Sequence, residues 1–442
     1  MVRVVIADDS QLVYSDDYRD GFEWGFRALG CDVKVVNIKT LRGLARMQPS
    51  ITSMRSTMPK ALAQAIVKMR PDVVWCYHGR TASVDTFLQG IKKCGAKTAT
   101  YLPDEPYETG ASSYFSQKYD YVFTLDPCTI EVHRLSRQSR RNVYYLPAGV
   151  NTDRFKQLPY FDKGTSELRR KIPAFFLGNA TLVPRPAWLK PVENTVSGSV
   201  IRYWKPTPKG HKDWIPLEAH PKAYGSCLVG LNVHRAPWMD RQCYENRVKT
   251  RRGLPKKPPA GLQIHTEPPP KGWGTGFWNE GNLPAAHWNP RFIEMAACGT
   301  CVVSDDHRTE IAREFPFAPQ ASSPEQFLEL VHYYISHPEE AEEIGRACCY
   351  RISRRHTYIH RAAEVLIRLG FKDALAEEVL SSLGEPADWL TPQDFKELTE
   401  KSFSGQTGLS GLWSPQSGMS SIKGFGSRSG TDSIDPPLPW YC

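Results

Sequence analysis

The chain has 442 residues, 40% of them hydrophobic, enough for two ordinary domains with real cores and a tail. Lys and Arg number 56 against 47 Asp and Glu, an excess of +9 that leaves room for anionic partners. No stretch approaches the twenty apolar residues of a membrane span, and M-V-R-V-V-I-A-D-D-S meets acidic residues too soon for a signal peptide, so no membrane insertion and a cytoplasmic setting are expected. The 11 cysteines are odd in number and scattered, as in a reducing compartment, and no Cys/His ligand spacing occurs, so no metal site is expected.

In chain order, Arg3 to Ala7 is an apolar run suited to a first strand, followed by Asp8-Asp9-Ser10. Tyr18, Phe22, Phe26 and Leu29 then recur at helical spacing up to Gly30. Further strands are expected at 33–38, 73–77, 98–102, 121–125 and 143–146, with helices at 61–69, 84–93 and 130–135 between them. Strands alternating with helices imply a parallel, doubly wound sheet, and this first domain is expected over 1–155. The opening run is similar to the first strand of response-regulator receivers, but 73–76 ends in Tyr77-His78-Gly79, without the aspartate that accepts phosphate there.

A second α/β domain is expected over 156–371. It opens on a strand at 174–177 and Gly178, has a loop carrying Arg185, and continues with strands at 199–203 and 227–233. An insertion at about 235–283 follows; from Arg235 to Lys271 it holds nine basic and three acidic residues. Its lysines and arginines, interleaved with prolines and followed by Trp273, Phe277 and Trp278, suit either a phosphate backbone with stacked bases or a solvated surface loop.

The stretch W-N-P-R-F-I-E-M-A-A-C-G-T-C-V-V-S-D-D, residues 288–306, reads as a helix capped by Asn289, with Pro290 in its first turn and a stop at Gly299, then a buried strand at 301–304. The start of such a helix, at the carboxyl edge of a parallel sheet, favours an anionic group. Cys298 and Cys301 form a C-x-x-C, but at the C-terminal end of the helix, where the dipole opposes a thiolate; core packing is expected. Helices at 324–336, 338–351 and 358–369 should follow and cross back to brace the first domain, with accessory helices at 372–402 and a Ser/Gly-rich disordered tail at 403–442.

Residues 288–306 continue into S-P-E-Q-F-L-E-L-V-H-Y-Y-I-S-H-P-E-E-A-E-E-I-G-R and R-R-H-T-Y-I-H-R-A-A-E-V-L. Upstream stand F-F-L-G-N-A, L-V-G-L-N-V-H-R, Y-L-P-D-E-P-Y, Y-D-Y-V-F-T-L-D and V-Y-Y-L-P-A-G-V-N. In this order the pattern, spanning most of 71–369, resembles GT-B glycosyltransferases, in particular the CgeB-like group named after a spore-maturation protein.

The resemblance implies two Rossmann-like doubly wound domains facing a cleft, and transfer of a sugar from a nucleoside-diphosphate sugar, with a UDP-sugar the expected donor. The acceptor would be a hydroxyl on a modified base in DNA or on a glycan. Glu294 aligns with the helix glutamate that binds the donor ribose, and a carboxylate can accept from both ribose hydroxyls. Arg291, Asn289, Arg185, Arg235 and Gly178 are the other expected donor-binding residues. On the acceptor side Asp104, then His78 and Glu105, are the candidate bases, with Asp104 first because Asp-Glu lies between two prolines and matches the family's acidic loop. Retaining families carry a second glutamate eight positions before the helix glutamate; here that position is Ala286, and Glu280 lies further upstream, so sugar contacts and stereochemistry do not carry over. The competing reading is a non-catalytic GT-B-like protein that binds nucleic acid or serves a structural role.

Overall fold

The structure, a computed structural model, describes residues 1–8, 16–37, 60, 62–77, 84–107, 109–136, 142–178, 184–203, 205–207, 210–212, 215–235, 283 and 285–382. The first six strands are β1 (Arg3–Asp8), β2 (Asp32–Asn37), β3 (Val73–Tyr77), β4 (Lys97–Leu102), β5 (Tyr121–Thr124) and β6 (Val143–Tyr145). All pair in parallel, in the order β2-β1-β3-β4-β5-β6. The second sheet is built from β7 (Ile172–Gly178), β8 (Val200–Tyr203), β11 (Cys227–Asn232), β12 (Cys301–Asp305) and β13 (Gln320–Ala321), with a short antiparallel pair, β9 (Lys205–Thr207) and β10 (Gly210–Lys212), apart from it. Its order is β13-β12-β11-β7-β8, again all parallel. Two doubly wound units are therefore present, as expected from the strand–helix rhythm.

In each sheet the chain first winds one way and then the other. The reversal lies between β1 and β3 in the first sheet and between β7 and β11 in the second. At such a point the connections diverge and leave a crevice at the carboxyl ends of the strands, which is where ligands of open parallel sheets bind. Gly178 ends β7 and Asn232 ends β11, so Arg185 and Arg235 follow the two strands that flank this reversal.

The core of the first unit is aromatic. Trp75 and Tyr77 on β3 and Tyr101 on β4 are fully buried against Phe22 and Phe26 of the helix Asp16–Ala28. The helix Tyr358–Arg368 returns from the far end of the chain onto that helix and adds the Tyr358 ring, 5.0 Å from Phe22. Close approach depends on glycine: a Cβ at Gly25 would stand 2.2 Å from the Tyr358 carbonyl oxygen. The expected crossing back onto the first sheet is thus observed.

The chain passes between the two sheets twice, and the passages are tied together. Val150 donates to the His356 carbonyl and accepts from the Tyr358 amide, at 2.9 and 3.1 Å. Arg361, fully buried, donates to the carbonyls of Pro147, Ala148 and Arg355 and meets His356 Nδ1 at 2.9 Å. The 236–282 part of the basic insertion, the accessory segment beyond 382 and the tail at 403–442 lie outside the described residues.

Candidate functional site

The helix Pro290–Ala297 starts as its sequence dictates. Asn289 has extended backbone and its Oδ1 accepts from the Phe292 amide at 3.2 Å, while Gly299, with φ of 72°, closes the other end. The Asn289 amide also donates to Asn232 Oδ1 at 2.6 Å, tying the helix start to the end of β11. Glu294 lies in the middle of the helix, 4% exposed, and accepts from the Tyr224 hydroxyl at 3.2 Å. An ionised carboxylate is costly at that burial unless hydrogen-bond donors face it, and the Tyr224 hydroxyl is one such donor.

Arg185 was expected on a loop. Instead it is the first residue of the helix Arg185–Thr195, which forms despite an internal Pro191 because Trp188, Leu189 and Val192 bury one face. Its Nε donates to the Val233 carbonyl at 2.7 Å, and its guanidinium lies 5.6 Å from the Phe176 ring. Burial, and after it the neighbouring Arg291 and Arg235 guanidiniums, push its pKa down to about 9. Gly178 is beside it: a Cβ there would lie 3.7 Å from Arg185 Nη1. Three cations thus converge at the carboxyl edge of the second sheet, an arrangement that suits a ligand bearing several negative charges.

From the first sheet the turn after β4 reaches the same edge. Asp104 Oδ1 is 3.4 Å from Arg235 Nη2, and the Arg235 guanidinium stacks on the Tyr107 ring at 3.5 Å. Arg308 clamps the pair from beneath, donating to the Tyr107 hydroxyl at 2.6 Å and to the Arg235 carbonyl at 2.9 Å. Of the two candidate bases among the described residues, Asp104 is the one at this junction. Glu105 is 2% exposed, and its carboxylate accepts from the hydroxyls of Thr109, at 2.6 Å, and Ser112. That corrects its expected place in the cleft: two hydroxyls of the following helix hold it inside, where it fixes the turn that presents Asp104. His78 lies outside the described residues, as does Glu280.

Beneath the arginines is a polar layer that the sequence reading did not single out. Asp305, at the end of β12 and fully buried, accepts from the backbone amide and ring Nδ1 of His234, the latter at 2.9 Å, and from the His307 amide at 3.1 Å. Burial opposes its charge, but these donors hold its carboxyl well below the ordinary range. Burial conversely pushes His234 down to about 4, so the imidazole is neutral and donates from Nδ1. Both residues sit in stretches already quoted, N-V-H-R and S-D-D, His234 two positions past the end of β11 and Asp305 at the last position of β12.

A second junction joins the halves behind this edge. Asp126, after β5, accepts from the amides of Ala286 and His287 at 2.9 and 3.1 Å. Tyr145 donates to Glu310 and stands 3.2 Å from His287 Nδ1. Ala286, the position of the missing glutamate, therefore contributes its backbone to the contact between the sheets. Cys298 and Cys301 are fully buried, and burial raises both thiols, in line with core packing rather than redox chemistry.

Among the described residues no helix is long and apolar enough to cross a membrane. No curated protein sequence matches the chain. Among solved structures, sucrose-phosphate synthase from Thermosynechococcus elongatus is similar at a TM-score of 0.49 and 11% identity, over 84% of this chain and 99% of that one. Anabaena HepE in complex with UDP is similar at 0.45 and 9%, over 84% and 100%. MurG from Acinetobacter baumannii is similar at 0.34 and 10%, over 87% and 99%. Residues 279–367, which include the helix Pro290–Ala297 and Asp305, match the model of a family described as glycosyl transferase-like.

Proposed function

We propose that the protein is a glycosyltransferase that uses a nucleoside-diphosphate sugar, with a UDP-sugar as donor. The observation that carries this reading is the gathering of Arg235 and Arg291 about the buried Arg185 at the strand reversal of the second sheet, with Arg291 one helical turn before Glu294 and both of these inside the segment that matches the glycosyl transferase-like model. In this reading Glu294 accepts from the ribose hydroxyls, and the arginines neutralise the charge that grows on the diphosphate as the glycosidic bond breaks. Cations held in place by packing need no reorganisation at that moment, so they lower the barrier more than they tighten the ground state. Asp104 takes the proton of the acceptor hydroxyl. The sequence pattern further favours the CgeB-like group, and the basic segment 235–283 favours an acceptor on an anionic carrier, with hydroxymethylated DNA the first to try and a glycan the second.

Calorimetric titration with UDP tests the donor site. Glu294→Gln keeps the shape of the side chain and should weaken binding roughly ten- to a hundredfold, the worth of hydrogen bonds to a charged group. Equal affinity in the two proteins would remove Glu294 from the site. Incubation with a panel of nucleotide sugars, followed by mass spectrometry of released nucleotide, separates an enzyme, which hydrolyses its donor slowly, from a non-catalytic relative, which leaves all of them intact.

A further inference from the structure

Asp104 follows a strand of the first sheet and Arg235 a strand of the second, and each is an expected participant in a different half of the reaction. In this structure they face each other at 3.4 Å, with side chains 24% and 19% exposed. The Arg235 backbone is fastened independently of that ion pair, because its carbonyl accepts from Arg308 at 2.9 Å and from the Tyr107 hydroxyl at 3.3 Å. Its guanidinium rests on the Tyr107 face. Breaking the contact to Asp104 therefore requires no movement of the loop: the ring and the carbonyl bonds hold Arg235 where it is. Around it, Arg185 and Arg291 add positive charge.

We propose that Asp104 is a stand-in anion, which the donor diphosphate displaces from Arg235. The base of the first sheet is thereby released for the acceptor only when the donor is in place, and Tyr107 is the platform that keeps Arg235 aligned through the exchange. The inference rests on the donor-site reading above and adds an order to it: donor first, acceptor second. It also gives the nucleotide product a route out, since Asp104 recovers its partner as the diphosphate leaves.

Competition between two anions for one cation has a signature that mere proximity lacks. UDP and inorganic pyrophosphate are titrated into the wild type, Asp104→Asn, Arg235→Gln and the double variant. Removing the competitor should tighten both ligands about fivefold, the worth of a partly exposed ion pair. In the Arg235→Gln background the same change should alter affinity less than about twofold. Unchanged or weaker binding in Asp104→Asn, or an equal gain with Arg235 absent, overturns the exchange while leaving the donor site standing. A cycle that holds for pyrophosphate in proteins that do not bind UDP keeps the exchange and discards the nucleotide reading. Failure of both ligands to bind any of the four discards both.

Discussion

Asp305 holds His234 by two atoms at once, accepting from its backbone amide and from its ring Nδ1. One carboxylate therefore sets both the position of the chain after β11 and the tautomer of the imidazole, and Arg235 is the next residue along. The register between β11 and β12, with Asn232 opposite Ser304, brings the two strand ends level so that this can happen. Asp305→Asn exchanges an acceptor for a donor against the His234 and His307 N–H groups that face it. It should cost roughly 3 kcal/mol, as removal of one member of a buried charged network does. UDP affinity should fall with it, because Arg235 and Arg308 lose their common support. Asp306→Asn, one residue on and exposed, should change neither quantity. Thermal melting and titration of the two variants side by side check this, and equal behaviour would show that Asp305 does not organise the edge.

Acid should unfold the protein early. Burial pushes His220, His234, His287 and His356 down to about 4 and His360 to about 3, from the ordinary 6.5. The unfolded chain therefore binds protons that the native state refuses as pH falls below 6.5, and each such site costs on the order of 1 kcal/mol per pH unit down to its native value. Asp126 and Glu343 work the other way: burial raises them to about 6 and about 7, so they favour the fold as pH falls through those values, and His307 and Asp306, also raised, add to this. The five buried rings, each shifted by two units or more, outweigh these four groups. Glu314, held down to about 2 by His356, Arg313 and Arg351 against its burial, extends the loss below 4.5. The melting temperature should drop steadily from pH 7 to pH 5, and a flat profile over that range would contradict the burial of these rings.

What could be read in the sequence was local. Asn289, Pro290 and Gly299 fix the ends of one helix through bonds within four residues, and the strand–helix alternation announces parallel sheets without any contact being known. Arg185 was harder, because R-P-A-W-L-K-P looks like a loop; tertiary burial of Trp188 and Leu189 overrides its prolines. Glu105 looked like a cleft acid because nothing nearby in sequence says that Thr109 and Ser112 turn back onto it. His234, Asp305 and Tyr107 sat inside motifs that had been noticed, but their roles come from pairs 71 and 128 positions apart, Asp305 with His234 and Tyr107 with Arg235. A polar residue within three positions of a strand end, beside the reversal of strand order, was the signal that could have found the first two.

Gly25 should tolerate no side chain. An added Cβ would stand 2.2 Å from the Tyr358 carbonyl oxygen, and backbone cannot swing aside as a side chain does. Gly25→Ala must separate the helices Asp16–Ala28 and Tyr358–Arg368, against the preference of alanine for helix, and should destabilise by about 2 kcal/mol or more. Urea unfolding measures the balance. A gain in stability would mean that the two helices are not packed in this way.

Arg361 should prove to be the fastening of the two chain passages. It is fully buried, and three of its hydrogen bonds go to carbonyls of Pro147, Ala148 and Arg355, on both passages. Arg361→Met fills a similar volume but leaves those carbonyls facing a thioether, at a cost of roughly 1–3 kcal/mol for each that finds no water. Part of the loss should appear locally, because the Val150 and Tyr358 amides, which bridge the same two passages, depend on their alignment. Hydrogen exchange at those two amides should accelerate more than at the Val4 to Ile6 strand, which is paired on both sides within the first sheet. Uniform acceleration across the molecule would instead mark Arg361 as a general packing residue, with no special hold on the connection between the sheets.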